Sequence, residues 1–313
     1  MRRQGRTADL ATKVGSLELR NPVMTAAGTA GHGAELSAYV DLAELGAVVV
    51  KSLAWHPWPG NPSPRVAPVA CGMLNSVGLQ GPGIPAWLDD CLPALAATGA
   101  SVVASIWGRS IEDYARAAEM LSAAQGCVVA VEVNLSCPNL EGGRGMFAPS
   151  AEATTAAVAA ATAAGRPVWA KLSPATEQLV EVAGAALAAG AEALTLVNTL
   201  PGTAIEPGSG RRLLGAGSGG LSGPALRPIA ARAIGDCRAA RPGAGIAGVG
   251  GVFTGRDAAE LLAAGADAVQ VGTATLLDPR APARVLAGLR RWCKRNGVHE
   301  LAELHSRAAT GAA

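Results

Sequence analysis

The stretch Asn134-Leu135-Ser136-Cys137-Pro138-Asn139 sets one thiol between two side-chain amides, directly after the apolar run Val131-Glu132-Val133. A buried strand feeding a rigid turn would hold that thiol in a fixed place, because the Pro138 ring locks its own φ. A cysteine so placed can serve as base, nucleophile, ligand or small apolar filler. A free thiol has a pKa of about 8.5, so a base role depends on pH or on a neighbouring donor that favours thiolate. Lys171 interrupts the apolar run Val168-Trp169-Ala170-Lys171-Leu172, and Lys51 closes Val48-Val49-Val50. A lysine in such a run must meet an anion or bear the cost of desolvation. A developing negative charge on a cofactor ring would suit it; snorkelling of the ammonium to solvent is the plainer alternative. Asn75, Asn134 and Asn198 offer donor and acceptor together, which suits an amide-bearing ring substrate, although each alone would more often cap a turn. There is no His/Asp/Glu spacing for a metal and no Ser-His-Asp arrangement.

The elements that must carry these groups can be read from hydropathy. Eight short apolar runs cover residues 21–26, 47–51, 101–106, 128–134, 167–172, 193–198, 245–250 and 268–272. Most are rich in Val, Ile or Leu without polar alternation, as expected of parallel strands buried on both faces. Helical stretches such as 111–124 and 176–189 lie between them, and Gly46, Gly99, Gly190 and Gly265 are placed to end helices in a left-handed conformation. The pattern predicts an α/β fold, a (β/α)8 TIM barrel. Residues 1–313 form one domain in this reading, with 1–20 as an N-terminal extension and a frayed tail from about 302. An open doubly wound sheet is the alternative, but its GxGxxG fingerprint after a first strand is missing.

Polar or glycine residues recur at the same end of nearly every run, which points to one site at the top of the barrel. The long connections 52–83, 135–150 and 199–223 follow strands 2, 4 and 6, so they fall on that face and read as binding loops or lids. Gly250-Gly251 and Gly272-Thr273 follow strands 7 and 8, where barrels often hold phosphate on bare backbone N–H groups. The segment 219–224 adds further donors there. Trp55 and Trp58 are expected to be exposed and could mark a partner surface; the alternative is a loop folded onto its own barrel.

Composition excludes several classes. Half of the 313 residues are apolar and 16% are charged, ample for a large core. No stretch approaches the roughly 20 strongly apolar residues of a spanning helix, and the basic start has no apolar region behind it, so neither membrane nor signal peptide is expected. A net charge of +2 gives no reason to expect nucleic acid. The six cysteines form no CxxC pair, as suits a reducing, cytoplasmic protein.

In combination and in this order, the motifs resemble class 1 dihydroorotate dehydrogenase, and the likeness spans most of the chain. It rests on Asn21-Pro22, Ala27-Gly28-Thr29, Lys51-Ser52, Gly60-Asn61-Pro62 with Pro64-Arg65, the stretch from Met73 to Leu79, Asn134 to Asn139, Lys171-Leu172-Ser173-Pro174, Asn198-Thr199, Gly219 to Pro224, Gly250-Gly251 and Gly272-Thr273. The resemblance implies an FMN-binding barrel that oxidises dihydroorotate to orotate in pyrimidine synthesis. Cys137 would remove the C5 proton while a hydride leaves C6 for flavin N5. Lys51, Asn75, Ser76, Val77, Gly78, Leu79, Asn134, Asn198 and Thr199 would bind substrate. Ala27, Gly28, Lys51, Ser52, Ser105, Asn134, Lys171 and Val197 would contact the flavin, with Lys171 at its N1/C2 carbonyl edge. Gly223, Gly250, Gly251, Gly272 and Thr273 would hold its ribityl phosphate arm.

Ser105 stands where many relatives have Asn, and Ala27 replaces a common Ser; both should weaken side-chain contacts to the flavin. Gly81 stands where Asn is frequent in the substrate loop. The motif Met73-Leu74-Asn75 resembles the NAD-linked type, which implies a homodimer working with a separate subunit that carries FAD and an iron–sulfur cluster; the fumarate-using type is the alternative acceptor. A dehydrogenase of another dihydropyrimidine and a non-catalytic FMN- or phosphate-binding barrel remain as competing functions.

Overall fold

The computed structural model describes residues 8–136 and 150–305 and, between them, the backbone of 138–139 and 145–146. The chain opens with an antiparallel hairpin, β1 (Thr12–Val14) and β2 (Leu17–Leu19), followed by β3 (Val23–Thr25) and β4 (Val48–Val49). Then come β5 (Val66–Val69), β6 (Gly72–Asn75), α1 (Ile84–Ala86), α2 (Leu92–Ala97), β7 (Val102–Ile106), α3 (Ile111–Ser122) and β8 (Val128–Asn134). The short pair β9 (Pro138–Asn139) and β10 (Gly145–Met146) precedes α4 (Ala151–Ala161), β11 (Val168–Leu172), α5 (Leu179–Ala188) and β12 (Ala193–Leu196). The last stretch holds β13 (Leu200–Gly202), β14 (Gly219–Ser222), α6 (Arg227–Ala240), β15 (Gly245–Val249), α7 (Gly255–Ala263), β16 (Ala268–Val271), α8 (Thr273–Leu277) and α9 (Ala281–Asn296).

Eight parallel strands in the order β3-β16-β15-β12-β11-β8-β7-β4 form one sheet, and a parallel bridge between Met24 and Ala47 joins its two edges into a barrel. All eight strands lie within the predicted apolar runs, with helices between them. Side chains alternate along each strand. Met24, Ala47, Val49, Val103, Ala130, Trp169, Ala193, Ala247 and Ala268 form a buried inner cluster, while Val131, Val133, Ala170, Leu172, Leu194 and Leu196 belong to the larger cluster beneath the helices. The many inward alanines leave room for the two large members, Trp169 and Met24. Val14 and Leu19 of the β1–β2 hairpin join the inner cluster. Residues 12–19 therefore plug the barrel floor, held there as Ser16 N–H donates to Glu192 Oε2 at 2.9 Å and Thr12 Oγ1 donates to the Asp267 carbonyl at 2.8 Å.

Two residues further along the same strands, the inward positions turn polar. Val103 gives way to Ser105, Ala130 to Glu132, Trp169 to Lys171, Ala193 to Thr195 and Ala268 to Gln270, all buried. The barrel thus has an apolar lower layer and a polar layer beneath its C-terminal mouth. Over that mouth, the connections after β4 and β12 are not separate loops. They pair into a four-stranded antiparallel sheet of order β13-β14-β6-β5, with Leu74 opposite Leu221 and Asn75 opposite Gly220.

Several expectations change in detail. Gly99, Gly190 and Gly265 do adopt positive φ, but Gly46 does not. Glycine is needed at 46 for close approach instead, since a Cβ there would lie 2.3 Å from the Asn21 carbonyl oxygen. The C-terminal part is also better anchored than expected: residues 302–305 are helical, and Leu301 and Leu304 are buried.

Candidate active site

The barrel mouth opens into a cavity of ≈ 780 Å³, within the range of about 300–1,000 Å³ typical of small-molecule and cofactor sites. Its wall draws on the strand ends and on the upper sheet. Gly250, Gly251, Gly272 and Thr273 follow the neighbouring strands β15 and β16, and Thr273 Oγ1 donates to Ser222 Oγ, next to Gly223, at 2.8 Å and so ties α8 to the upper sheet. Ala27, Gly28, Lys51, Ser52, Asn134, Lys171, Val197, Asn198 and Thr199 line the cavity from β3, β4, β8, β11 and β12 or the residues after them. Asn75, Ser76, Val77, Gly78 and Leu79 line it from the end of β6 and the segment after it. Gly78 and Leu79 are both left-handed, with φ of 71° and 61°. For leucine this conformation is costly, and the Leu79 side chain is held by packing with Ala54, Trp58 and Trp107.

Asn134 is the hub of the polar wall. It ends β8, and its carbonyl accepts from the buried Tyr114 hydroxyl of α3 at 2.8 Å. Its Oδ1 accepts from Ser136 N–H and from Asn198 Nδ2, both at 3.2 Å, and its Nδ2 donates to Ser52 Oγ at 3.4 Å. The Asn198 Oδ1 in turn accepts from Thr199 N–H at 2.9 Å. Residues from the ends of β4, β8 and β12 are thereby locked in one orientation. Ser136, next in sequence to Cys137, lines the same cavity; Cys137 itself lies outside the described residues.

Ser105 does not line the cavity. It is fully buried behind Ser52, with the two hydroxyls 2.8 Å apart, so it supports the wall instead of forming it. The tryptophan loop is not a free surface either. Trp55 Nε1 donates to Asp113 Oδ1 at 2.8 Å, and Trp58 meets Trp107 edge to face with ring centroids 5.6 Å apart. The loop is folded onto its own barrel, and Trp58, Trp107 and Arg109 form a further wall of the cavity. Gly81 sits beside His32, whose Nε2 would lie 3.2 Å from a Cβ at that position. Burial first, and then the Lys51 ammonium, hold the His32 imidazole below its usual pKa, against a smaller opposing effect of Glu35.

Sequence reasoning missed the polar layer under the cavity. Glu132 is completely buried; its Oε2 accepts from Gln270 Nε2 at 2.7 Å and from Thr195 Oγ1 at 3.0 Å, and its Oε1 lies 3.5 Å from Lys171 Nζ. A lone carboxylate between two valines, in phase with Asn134, was the available signal. The wall residues Trp107 and Arg109 carried no comparable signal, since they simply follow β7.

The dihydroorotate dehydrogenase family model matches residues 9–292. The chain belongs to the dihydroorotate dehydrogenase family. That family is flavin-dependent. Similar proteins include the dihydroorotate dehydrogenase B (NAD(+)) catalytic subunit of Geobacter sulfurreducens, 43% identical over 298 residues, covering 95% of this chain and 97% of the relative. The protein of that name from Desulforudis audaxviator is 44% identical over 295 residues, 94% and 95% of the two chains. That of Alkaliphilus metalliredigens is 41% identical over 299 residues, 95% and 97%.

Proposed function

We propose that this chain oxidises dihydroorotate to orotate in pyrimidine biosynthesis on a bound FMN. The observation that carries this reading is the union, in one cavity, of a buried lysine, an interlocked asparagine hub and a glycine-rich wall. The donor set fits the cofactor: small backbone-rich walls for a phosphate arm, and the ammonium groups of Lys51 and Lys171 for the ring. When bound, FMN supplies a two-electron acceptor for hydride.

The chain's own residues do the rest. Asn134 and Asn198 are fixed by their mutual hydrogen bond, so their remaining donor and acceptor capacity can orient a cyclic amide. Lys51, Asn75 to Leu79 and Thr199 complete the substrate contacts. Cys137 takes the C5 proton as thiolate, general-base work worth about 10²- to 10⁴-fold in rate. Lys171, on the cavity wall, would supply positive charge to a bound flavin and so favour its taking up electrons. The upper sheet and the Trp58–Trp107 wall exclude water from the reacting atoms.

Residues 1–313 are read as one domain that works in the cytoplasm as a homodimer. NAD serves as final acceptor through a separate subunit carrying FAD and an iron–sulfur cluster, a reading supported by the term catalytic subunit in the names of the relatives. No helix among the described residues is long and apolar enough to cross a membrane.

The test is anaerobic stopped-flow with the purified yellow protein. Cys137→Ala is expected to keep its flavin and lose at least about 100-fold in the rate of reduction by dihydroorotate. Reduction at full speed in that variant would overturn the base assignment.

A further inference from the structure

Glu132 has no part in the chemistry proposed so far. Glu132 is 0% exposed, and it sits in the polar layer directly below the cavity. Its Oε2 is engaged by Gln270 and Thr195, whereas its Oε1 takes no hydrogen bond among the described residues and lies 3.5 Å from Lys171 Nζ. Lys171 is 5% exposed and lines the cavity. The two residues lie on neighbouring strands, β8 and β11. Side chains from β11, β12 and β16 therefore converge on one carboxylate, whose Oε1 meets, among the described residues, the Lys171 ammonium. A purely structural carboxylate would be better served by two hydrogen-bonded oxygens, because an unsatisfied buried oxygen is costly.

We propose that Glu132 is a positioning residue: its carboxylate holds the Lys171 ammonium at the cavity floor and sets how much of that positive charge acts on the bound flavin, and so the flavin's reduction potential. The pair behaves as a graded charge source. A free lysine there would stabilise the two-electron-reduced, negatively charged ring strongly. A lysine paired in a low-dielectric interior does so weakly, since the opposing charge lies close behind it. Electrons and protons balance as in the parent reaction: the C6 hydride would go to the flavin and the one C5 proton to the base. Glu132 exchanges neither. It shifts only the position of that equilibrium, and the inference rests on the proposal that a flavin occupies this cavity.

The experiment measures the midpoint potential of the flavin-loaded protein by dye equilibration in Glu132→Gln, in Lys171→Gln and in the double variant. Glu132→Gln is expected to move the two-electron equilibrium about tenfold toward reduced flavin, about 30 mV more positive. Lys171→Gln is expected to move it the opposite way, and the double variant to lie near the wild type, because both members of the pair are then neutral. A loaded Glu132→Gln protein with lowered melting temperature and unchanged potential would overturn the inference. A double variant no closer to wild type than Lys171→Gln would do the same. If Glu132→Gln alone does not fold, the comparison of Lys171→Gln with the double variant still decides, since the second charge removal must shift the potential positive. A wild-type protein that purifies without flavin would remove the parent reading itself, an outcome distinct from an unmoved potential.

Discussion

His32 shows how a single side chain near the site couples proton uptake to folding. In the folded protein its imidazole is held below the usual value by burial and by the Lys51 charge. The unfolded chain, with His at about 6.5, therefore takes up the proton first. The contribution is fully present above about pH 6.5 and is lost as the pH falls toward the lower folded value. A His32→Gln variant should accordingly lose less melting temperature between pH 7.5 and 5.5 than the wild type; equal losses would show that another group controls the acid limb. At this scale the sequence was informative where a residue's type clashed with its surroundings. Lys171 in an apolar run and Asn134 at the end of one announced themselves, and both line the cavity. Glu132 clashed in the same way, but its role depends on Gln270 and Thr195, which lie 138 and 63 residues away and make no local pattern with it. Ser105 was expected at the flavin from the family resemblance, which does not show that Ser52 stands in front of it.

At the scale of elements, the eight strands were legible because a run of Val, Ile and Leu without polar alternation has few other homes. Their edges were less so: the first strand pairs only over Val23–Thr25, while the apolar run is twice as long. The upper sheet was not legible, since β6 and β14 are about 145 residues apart and Gly219-Gly220 has no strand propensity to offer. The pairing of α7 with α9 was equally hidden. It depends on Gly255, where a Cβ would come within 2.0 Å of the Gly288 carbonyl carbon and the Leu289 nitrogen. Two backbones in such contact can accept no methyl group without moving apart. Gly255→Ala is expected to cost about 1–3 kcal/mol by overpacking, a drop of several degrees in melting temperature, with cofactor content unchanged because neither residue lines the cavity. A melting curve that superimposes on the wild type would show that the helices shift apart freely.

For the whole molecule, the plugged floor and the covered mouth make the barrel a one-ended container. With the floor plugged by residues 12–19, small molecules enter and leave through the mouth. On the acceptor proposal, the isolated chain should bleach its flavin with dihydroorotate yet fail to reduce NAD at a useful rate, and addition of the FAD and iron–sulfur subunit should restore NADH formation. Rapid NAD reduction by the chain alone, followed at 340 nm, would sink that assignment.

The four-stranded sheet over the mouth has one more implication, for inheritance and engineering. Residues 66–75 and 200–222 are far apart in the gene yet share one set of ladder hydrogen bonds and a small apolar core of Ala67, Leu74 and Leu214. They constitute a single transplantable roof. A chimera that borrows one half from a relative would mismatch its seam, whereas exchanging both halves together would keep the ladder and its small core matched.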